Sequence, residues 1–137
     1  MAQVTTPTNR NPYGSQLRDA KNLAVTVPAT GNTTLLSLRV DGLERIFVQF
    51  TVATQALDAF IIQARCSADA TATTIASAAG DYTSPTGLMI KASGDLTGVA
   101  AAGSGWFVMD VRGLFEVNVL ASAAVDSAAV SIYAGGR

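Results

Sequence analysis

A period of two in residues 44–54 is the feature that most limits how this chain can fold. Large apolar residues stand at every second position from Ile46 to Val52. Because successive side chains of a strand point to opposite faces, this spacing predicts a β-strand with one long buried face. A lone strand cannot cover such a face. The chain must therefore form a sheet that packs against a second layer.

Similar short runs recur along most of the chain, and turn residues separate them. Pro28, Gly31 and Asn32 end the first run, because Pro cannot donate to a sheet and Gly and Asn tolerate positive φ. No segment has a convincing helical period. The sequence predicts an all-β fold, a single β-sandwich or jelly-roll-like domain of seven or eight antiparallel strands. The predicted strands cover residues 23–27, 35–40, 44–54, 59–66, 88–92, 106–112, 114–121 and 128–134.

Three connections carry their own expectations. Only four residues, 55–58, separate two strong runs, so residues 44–54 and 59–66 are predicted to pair as a hairpin. Gly113 stands between two further runs and predicts a bulge or bend in one continuing strand. Residues 68–80 are rich in Ala, Thr and Ser, and they fit a weak strand, an irregular loop or a short helix.

Residues 81–105 contain many glycines and only short apolar pieces. We expect an excursion there that holds the short strand near 88–92. Loops longer than about 12–15 residues are uncommon and often functional, so this segment is a candidate contact loop.

The alternating runs also predict which side chains form the core. Cys66 falls at the end of one run and is expected to be a small buried hydrophobe, with an intermolecular or reactive role as the alternative. The predicted core consists of Ile46, Val48, Phe50, Phe60, Ile62, Phe107, Met109, Phe115, Val117 and Ile132.

Residues 1–20 mix Thr, Asn, Pro, Gly, Gln and Arg and have no hydrophobic period. They predict an extended N-terminal arm, followed by a β-sandwich domain at residues 21–137. Fully extended, a segment of this length spans at most about 66 Å, enough to lie across a neighbouring subunit. Tyr13, Leu17 and Arg18 are its candidate partner contacts. A tail without a role is the alternative.

Charge is scarce in this chain. Charged residues make up 14% of it and hydrophobic residues 49%, whereas ordinary soluble domains have about 25% charged residues. With a formal net charge of −1, the protein has little electrostatic protection against association. We expect a homodimer or homotrimer; a free monomeric domain is the alternative. The nine basic residues form no stripe and are matched by ten acids, which disfavours nucleic acid as a partner.

The chain contains no histidine. This excludes Ser-His-Asp and Cys-His catalysis and removes the commonest transition-metal ligand. Asp41, Asp81, Asp95 and Asp126 occur in turn-like contexts, where Asp is expected to bond to nearby backbone. Residues 98–103 have the glycine spacing of a phosphate-binding loop but lack the lysine that must follow. We therefore predict no enzyme, and no catalytic, cofactor-binding or metal residues.

Trp106 and Tyr82 are the remaining candidate partner contacts. Trp106 is expected to be a core or interface anchor, because no basic residues accompany it to make a base-stacking platform. Trp106 and Tyr82, with Asp81, are also the candidates for a sugar site. Arg112 is expected to pair with Asp110 or Glu116. No apolar stretch has the character of a signal peptide or membrane span, so no membrane partner is expected and the protein should stay in the cytoplasm where it is made.

The polar arm, the strands rich in Ala, Thr, Gly and Val, the missing histidine and the closing Val-Ser-Ile-Tyr-Ala-Gly-Gly at 130–136 resemble small virion proteins of tailed bacteriophages. The chain is most similar to head decoration, or cement, proteins. The resemblance implies a β-rich dimer or trimer that binds the outer surface of the major capsid protein lattice. It implies a place on the virion after synthesis in the host cytoplasm, and it assigns no site residues. A tail, connector or fibre-associated virion protein and a carbohydrate-binding β-sandwich are the alternatives.

Overall fold

A computed structural model describes residues 8–9 and 18–137 of the protein, with side chains described from Asp19 onward. The described residues form strands and one short helix. In chain order these are β1 (Thr8–Asn9), β2 (Arg18–Pro28), β3 (Thr33–Arg39), β4 (Arg45–Ala53), β5 (Leu57–Arg65), β6 (Thr73–Ala76), α1 (Ala79–Thr83), β7 (Met89–Ala92), β8 (Ser104–Asp110), β9 (Glu116–Ala123) and β10 (Ser127–Gly136).

The strands form two antiparallel sheets, one of six strands in the order β1-β2-β10-β4-β8-β7 and one of four in the order β3-β9-β5-β6. Apart from β1 and β7, which stand at the two ends of the larger sheet, the strands pair in a nested way. The first pairs with the last (β2 with β10), and then β3 pairs with β9, β4 with β8 and β5 with β6. This nesting is a jelly roll. The predicted β-sandwich or jelly-roll-like fold is confirmed, with ten strands among the described residues in place of the seven or eight expected.

The core lies between the two sheets and follows the period of two. Along β4 the residues alternate strictly between exposed and buried, with Phe50 on the buried side. The ring of Phe50 stacks on that of Phe60 across the interior, with ring centroids 4.6 Å apart, and Phe107 meets Phe60 edge-on at 6.3 Å. Every predicted core residue except Phe115 is buried.

Phe115 is half-buried and lies on the outside of the smaller sheet. It comes just before β9, where the chain is leaving a turn closed by the bond from Leu114 N–H to the Val111 carbonyl, so the strand pleat does not fix its direction. The guanidinium groups of Arg39 and Arg65 lie 4.0 and 5.3 Å from its ring centroid. Cation–π contacts therefore replace core packing there.

Two predicted connections are wrong. Residues 44–54 and 59–66 do not form a hairpin, because β4 pairs with β10 and β8, while β5 lies in the other sheet and pairs with β9 and β6. Thr54, with a φ of 77°, turns the chain between the sheets. Gly113, with a φ of 85°, likewise lies in a turn that leads from β8 in the larger sheet to β9 in the smaller one. It is not a bulge in a continuing strand.

The structure also decides the predictions for Cys66, for residues 68–80 and for the short strand near 88–92. Cys66 is exposed rather than buried, because β5 ends at Arg65 and releases the next residue from the pleat. The undecided residues 68–80 contain β6 and the start of α1. The short strand predicted near 88–92 is present as β7. In the part of the chain that the structure describes, no helix is long and apolar enough to cross a membrane.

The predicted arm falls mostly outside the described residues, and its contacts Tyr13 and Leu17 lie there. β2 begins at Arg18, so residues 18–20 pair with the end of β10 within the sheet, although the domain was predicted to begin at residue 21.

Candidate functional site

The outer face of the six-stranded sheet carries a cluster of aromatic side chains. The outward positions of β4 lie between those of β10 and β8: Gln49 pairs with Tyr133 on one side and with Trp106 on the other. Two residues earlier on β4, Phe47 lies between Gly135 of β10 and Val108 of β8. We call this surface the aromatic face. Its outward residues are Phe47, Gln49, Thr51, Ser104, Trp106, Val108, Ser131 and Tyr133.

The aromatic rings of this face are open to solvent. Phe47 is 43% exposed and Tyr133 is 41% exposed. Trp106 is half-buried because its ring stacks on that of Phe47, with centroids 5.8 Å apart and planes 18° from parallel. Exposing large apolar side chains to water costs free energy. A group of them on a sheet surface is therefore a candidate interaction site.

This exposure is specific to one sheet. Of the large hydrophobic side chains that are exposed among the described residues, Leu23, Phe47, Ile90 and Tyr133 lie in strands of the six-stranded sheet. Val125 lies in the turn before β10. None lies in a strand of the four-stranded sheet.

Two grooves border the ring cluster. The larger, of about 530 Å³, runs past Phe47, Val108 and the glycines at the end of β10, with Glu44, Arg45 and Arg137 among its other lining residues. The smaller, of about 270 Å³, is lined by residues that include Gln49, Thr51, Ser104, Trp106 and Tyr133.

Glycines line both grooves, Gly105 the smaller one and Gly135 and Gly136 the larger one. A Cβ on Gly105 would come within 2.7 Å of the Phe50 ring, and one on Gly136 within 2.9 Å of the Ile46 side chain. At these positions the strands lie too close to the core for any larger residue. Gly135 adds no side chain next to Phe47, which leaves space beside that ring.

The smaller groove has no charged residue in its lining. The side chains of Gln49, Thr51, Ser104 and Tyr133 form no hydrogen bond with another described residue. Their donors and acceptors are therefore available to water or to a partner.

The outer face of the four-stranded sheet is built differently. Arg39, Glu116 and Arg65 stand side by side on β3, β9 and β5. The Arg65 guanidinium donates to both Glu116 carboxylate oxygens, at 3.1 and 3.3 Å, and to the Ala68 carbonyl at 2.6 Å. In the next row, Asn118 donates to Glu116 at 3.3 Å. We call this surface the polar face. Its charged groups bind one another.

The prediction that Tyr82 is a partner contact is wrong. Its side chain is buried, and its hydroxyl donates to the Phe60 carbonyl at 2.6 Å. Burial, with a smaller effect of the Asp81 and Asp95 charges, raises the pKa of Tyr82. Its ring packs edge-on against Phe60 in the core, with centroids 6.2 Å apart.

Asp81 does not join Tyr82 at the surface. Its carboxylate accepts the backbone N–H groups of Ser77 and Ala78, at 2.8 and 3.0 Å, and these bonds lower the pKa of Asp81. The sugar site considered for Trp106, Tyr82 and Asp81 is therefore not assembled.

Trp106 is on the surface, where the fold brings it together with Phe47 and Tyr133. Neither of those two was selected from the sequence as a contact. Phe47 is an aromatic residue at an outward position of the strongest predicted strand. That position could have identified it as an exposed contact residue. Arg18 pairs with Gly136 in β10 and with Asn9 in β1, at the edge of the same sheet.

Two strand carboxylates, Asp110 and Glu116, have different arginine partners. Asp110 binds Arg112 at 2.6 Å, which confirms the expectation for Arg112, whereas Glu116 binds Arg65. Hydrogen bonds from Arg112 lower the pKa of Asp110 to about 2. Among the described residues no three His, Cys, Asp or Glu side chains group in a way that could hold a metal ion.

No known protein family matches this sequence, and no curated protein is significantly similar to it. In its fold the chain is similar to the crystal structure of the SPBc2 prophage-derived protein YomS, with a TM-score of 0.50. The match covers 88% of this chain and 96% of that one, at 12% sequence identity. At this identity the likeness is one of fold.

Proposed function

We propose that this chain is a structural protein of a tailed-bacteriophage virion, which decorates and stabilises the head by binding the outer surface of the major capsid protein lattice. The aromatic face is the observation that carries the assembly part of this proposal, because it is a surface suited to being covered by another protein chain, a second copy of this chain included. Phe47 and Tyr133 are exposed on this face and Trp106 stacks on Phe47, in a chain with only 14% charged residues. Aromatic enrichment and depletion of charge distinguish the centres of protein interfaces from other protein surface.

The fold is compatible with this function without deciding it, because jelly rolls serve as viral capsid proteins, lectins and enzymes. The similarity in fold to a prophage-derived protein favours a phage origin. The sequence resemblance to decoration proteins supplies the finer proposal that the partner is the capsid lattice.

The N-terminal arm is proposed to contribute to binding of the capsid lattice. β1 and the start of β2 form one edge of the six-stranded sheet, so the segment that precedes Arg18 joins the domain at that edge. Tyr13 and Leu17 supply apolar anchors in this segment, and Arg10 and Arg18 supply positive charge for an acidic surface.

Co-sedimentation with empty capsids that lack their decoration protein tests the proposal. We expect saturable binding at a fixed ratio to the lattice, together with a higher melting temperature of the loaded capsid. Deleting residues 1–17 leaves all of β2 in place, so the melting temperature of the free protein should stay nearly unchanged. Capsid binding should weaken at least about tenfold, which corresponds to about 1.4 kcal/mol. A flexible linker of equal length in place of residues 1–17 is the matched control and should bind as weakly.

Three results would contradict parts of this proposal. Binding to purified tails and not to heads would identify a tail, connector or fibre-associated protein. Failure to bind either particle, with retention on an immobilised glycan, would favour the carbohydrate-binding alternative. Undiminished capsid binding after the deletion would remove the role of the arm.

A further inference from the structure

We infer that the aromatic face is the contact between two copies of this chain, which meet face to face about a twofold axis. The inference goes beyond the proposed function, because it assigns a second copy, and not the capsid, to this surface. It rests on shape, area and the distribution of charge.

The shape of the aromatic face suits a contact with itself. In a twofold contact the same patch meets itself, so every projecting group must find a recess on that same patch. The aromatic face has both. The stacked rings of Phe47 and Trp106 project from β4 and β8 between a groove of about 530 Å³ and one of about 270 Å³. The rings of each copy can therefore enter a groove of the other.

The sheet is also wide enough for a stable contact. Five strands from β2 to β7 stand side by side in it, and β8 is seven residues long. With strands about 4.8 Å apart and about 3.4 Å per residue, the aromatic face on β10, β4 and β8 together with the flanking strands β2 and β7 covers roughly 600 Å² in each copy. Two copies would together bury about 1,200 Å², which reaches the range of stable, specific interfaces.

The distribution of charge favours the same contact. The centre of the face, around Gln49, holds aromatic and neutral polar side chains, and the charges lie at its margins. Arg45 stands opposite Asp110 across β4 and β8 at one end. On the two flanking strands, Lys21 of β2 stands beside Tyr133 and Lys91 of β7 stands beside Val108. With a formal net charge of −1, two copies repel each other little. An uncharged centre and a rim that contains both signs suit a self-contact.

The polar face does not compete for this role. Closing a contact over it would take the Arg39, Arg65 and Glu116 charges further out of water, at a cost that their existing pairing does not offset. The Arg65 and Glu116 side chains are also satisfied within the chain. A second copy would gain little there.

Sedimentation velocity and the fluorescence of Trp106, the single tryptophan of the chain, test the inference in the full-length protein. We expect twice the chain mass and a Trp106 emission that shifts to the red on dilution. The variants Phe47→Arg and Tyr133→Arg each place a charge in the centre of the contact while leaving the core untouched. Each should raise the dissociation constant of the dimer by roughly a hundredfold or more.

Ser37→Arg is the matched control. Ser37 is an exposed strand residue of the polar face, paired with Asn118, so the same charge added there should leave the dimer intact. Unfolding in urea checks that all three variants remain folded, and two independent variants guard against a local folding defect.

The outcomes separate this inference from the proposed function. A wild-type protein that stays monomeric at every concentration overturns the inference, even if it binds capsids. A dimer that Phe47→Arg and Tyr133→Arg leave unchanged also overturns it, since the contact then lies elsewhere. A trimer in place of a dimer overturns the twofold arrangement. A dimer lost in both variants and kept in Ser37→Arg supports the inference, whatever the capsid assay shows.

Discussion

The aromatic face and the polar face have the same strand geometry but different outward side chains. Those of the polar face pair with one another, and those of the aromatic face include exposed aromatic residues. On the polar face, Arg65 holds Glu116 with two hydrogen bonds and Arg39 covers Phe115. On the aromatic face, Phe47 and Tyr133 remain open to water. One sheet pairs its outward charges within the chain, and the other leaves large apolar side chains exposed.

This difference arises where folding constrains the sequence least. The inward positions of both sheets are filled in the same manner, as the stacking of Phe50 from one sheet on Phe60 from the other illustrates. Because alternate residues of a strand face outward, those positions can change without disturbing the core. The jelly roll supplies stability from its interior and leaves its two outer surfaces free to diverge.

The largest difference in stability is expected between inward and outward residues of β4. Phe50→Ala should lower the free energy of unfolding by roughly 3–5 kcal/mol, because it opens a cavity in the core. The neighbouring outward change Phe47→Gln should lower it by less than about 1 kcal/mol. Urea unfolding at two protein concentrations measures both effects and separates core packing from any contact between copies. Equal losses would mean that the inward and outward faces are wrongly assigned by one residue.

The sequence could predict these faces because the period of two is a local property. From Ile46 to Val52 each side chain's direction follows from its position, and the buried set is as expected. Strand partners are not local. The short link after β4 resembles a hairpin loop, yet β4 and β5 lie in opposite sheets and pack their apolar residues against each other, as Phe50 does on Phe60.

The candidate site was only partly predictable, for a related reason. A lone aromatic residue in a loop or helix gives no sign of its direction, and Tyr82 was placed on the surface when it is buried. The partners of Trp106 come from strands distant in sequence. Phe47 and Tyr133 become its neighbours only once β4 lies between β8 and β10.

Tyr82 sharpens the contrast between a core aromatic and those of the aromatic face. Tyr82→Phe removes the donor to the buried Phe60 carbonyl and should cost about 1–3 kcal/mol. Tyr133→Phe, on the surface, should cost almost nothing, and it is the matched control.

The pH dependence of Tyr82 gives a second measurement. Burial raises the pKa of Tyr82 above its ordinary value of 10.0, so the folded state keeps the proton that the unfolded chain releases. Its contribution to stability is therefore complete below pH 10 and is lost as the pH rises above that value. Urea midpoints should fall more steeply above this pH in the wild type than in Tyr82→Phe. Parallel curves would mean that the hydroxyl is not buried.

The smallest expected effect tests the two outer faces directly. Glu116 and Arg65 side chains are 19% and 24% exposed and share two charge-assisted hydrogen bonds, so the pair lies between an exposed ion pair, which is worth little, and a buried one. Glu116→Gln should lower the free energy of unfolding by about 1 kcal/mol, and less at high salt. Gln49→Leu, at a central outward position of the aromatic face, should change it by less than about 0.5 kcal/mol, because no bond within the chain is lost. If urea unfolding of the dissociated chain shows equal losses, the outward residues of both faces serve the fold alike, and the aromatic face is not held open for a partner.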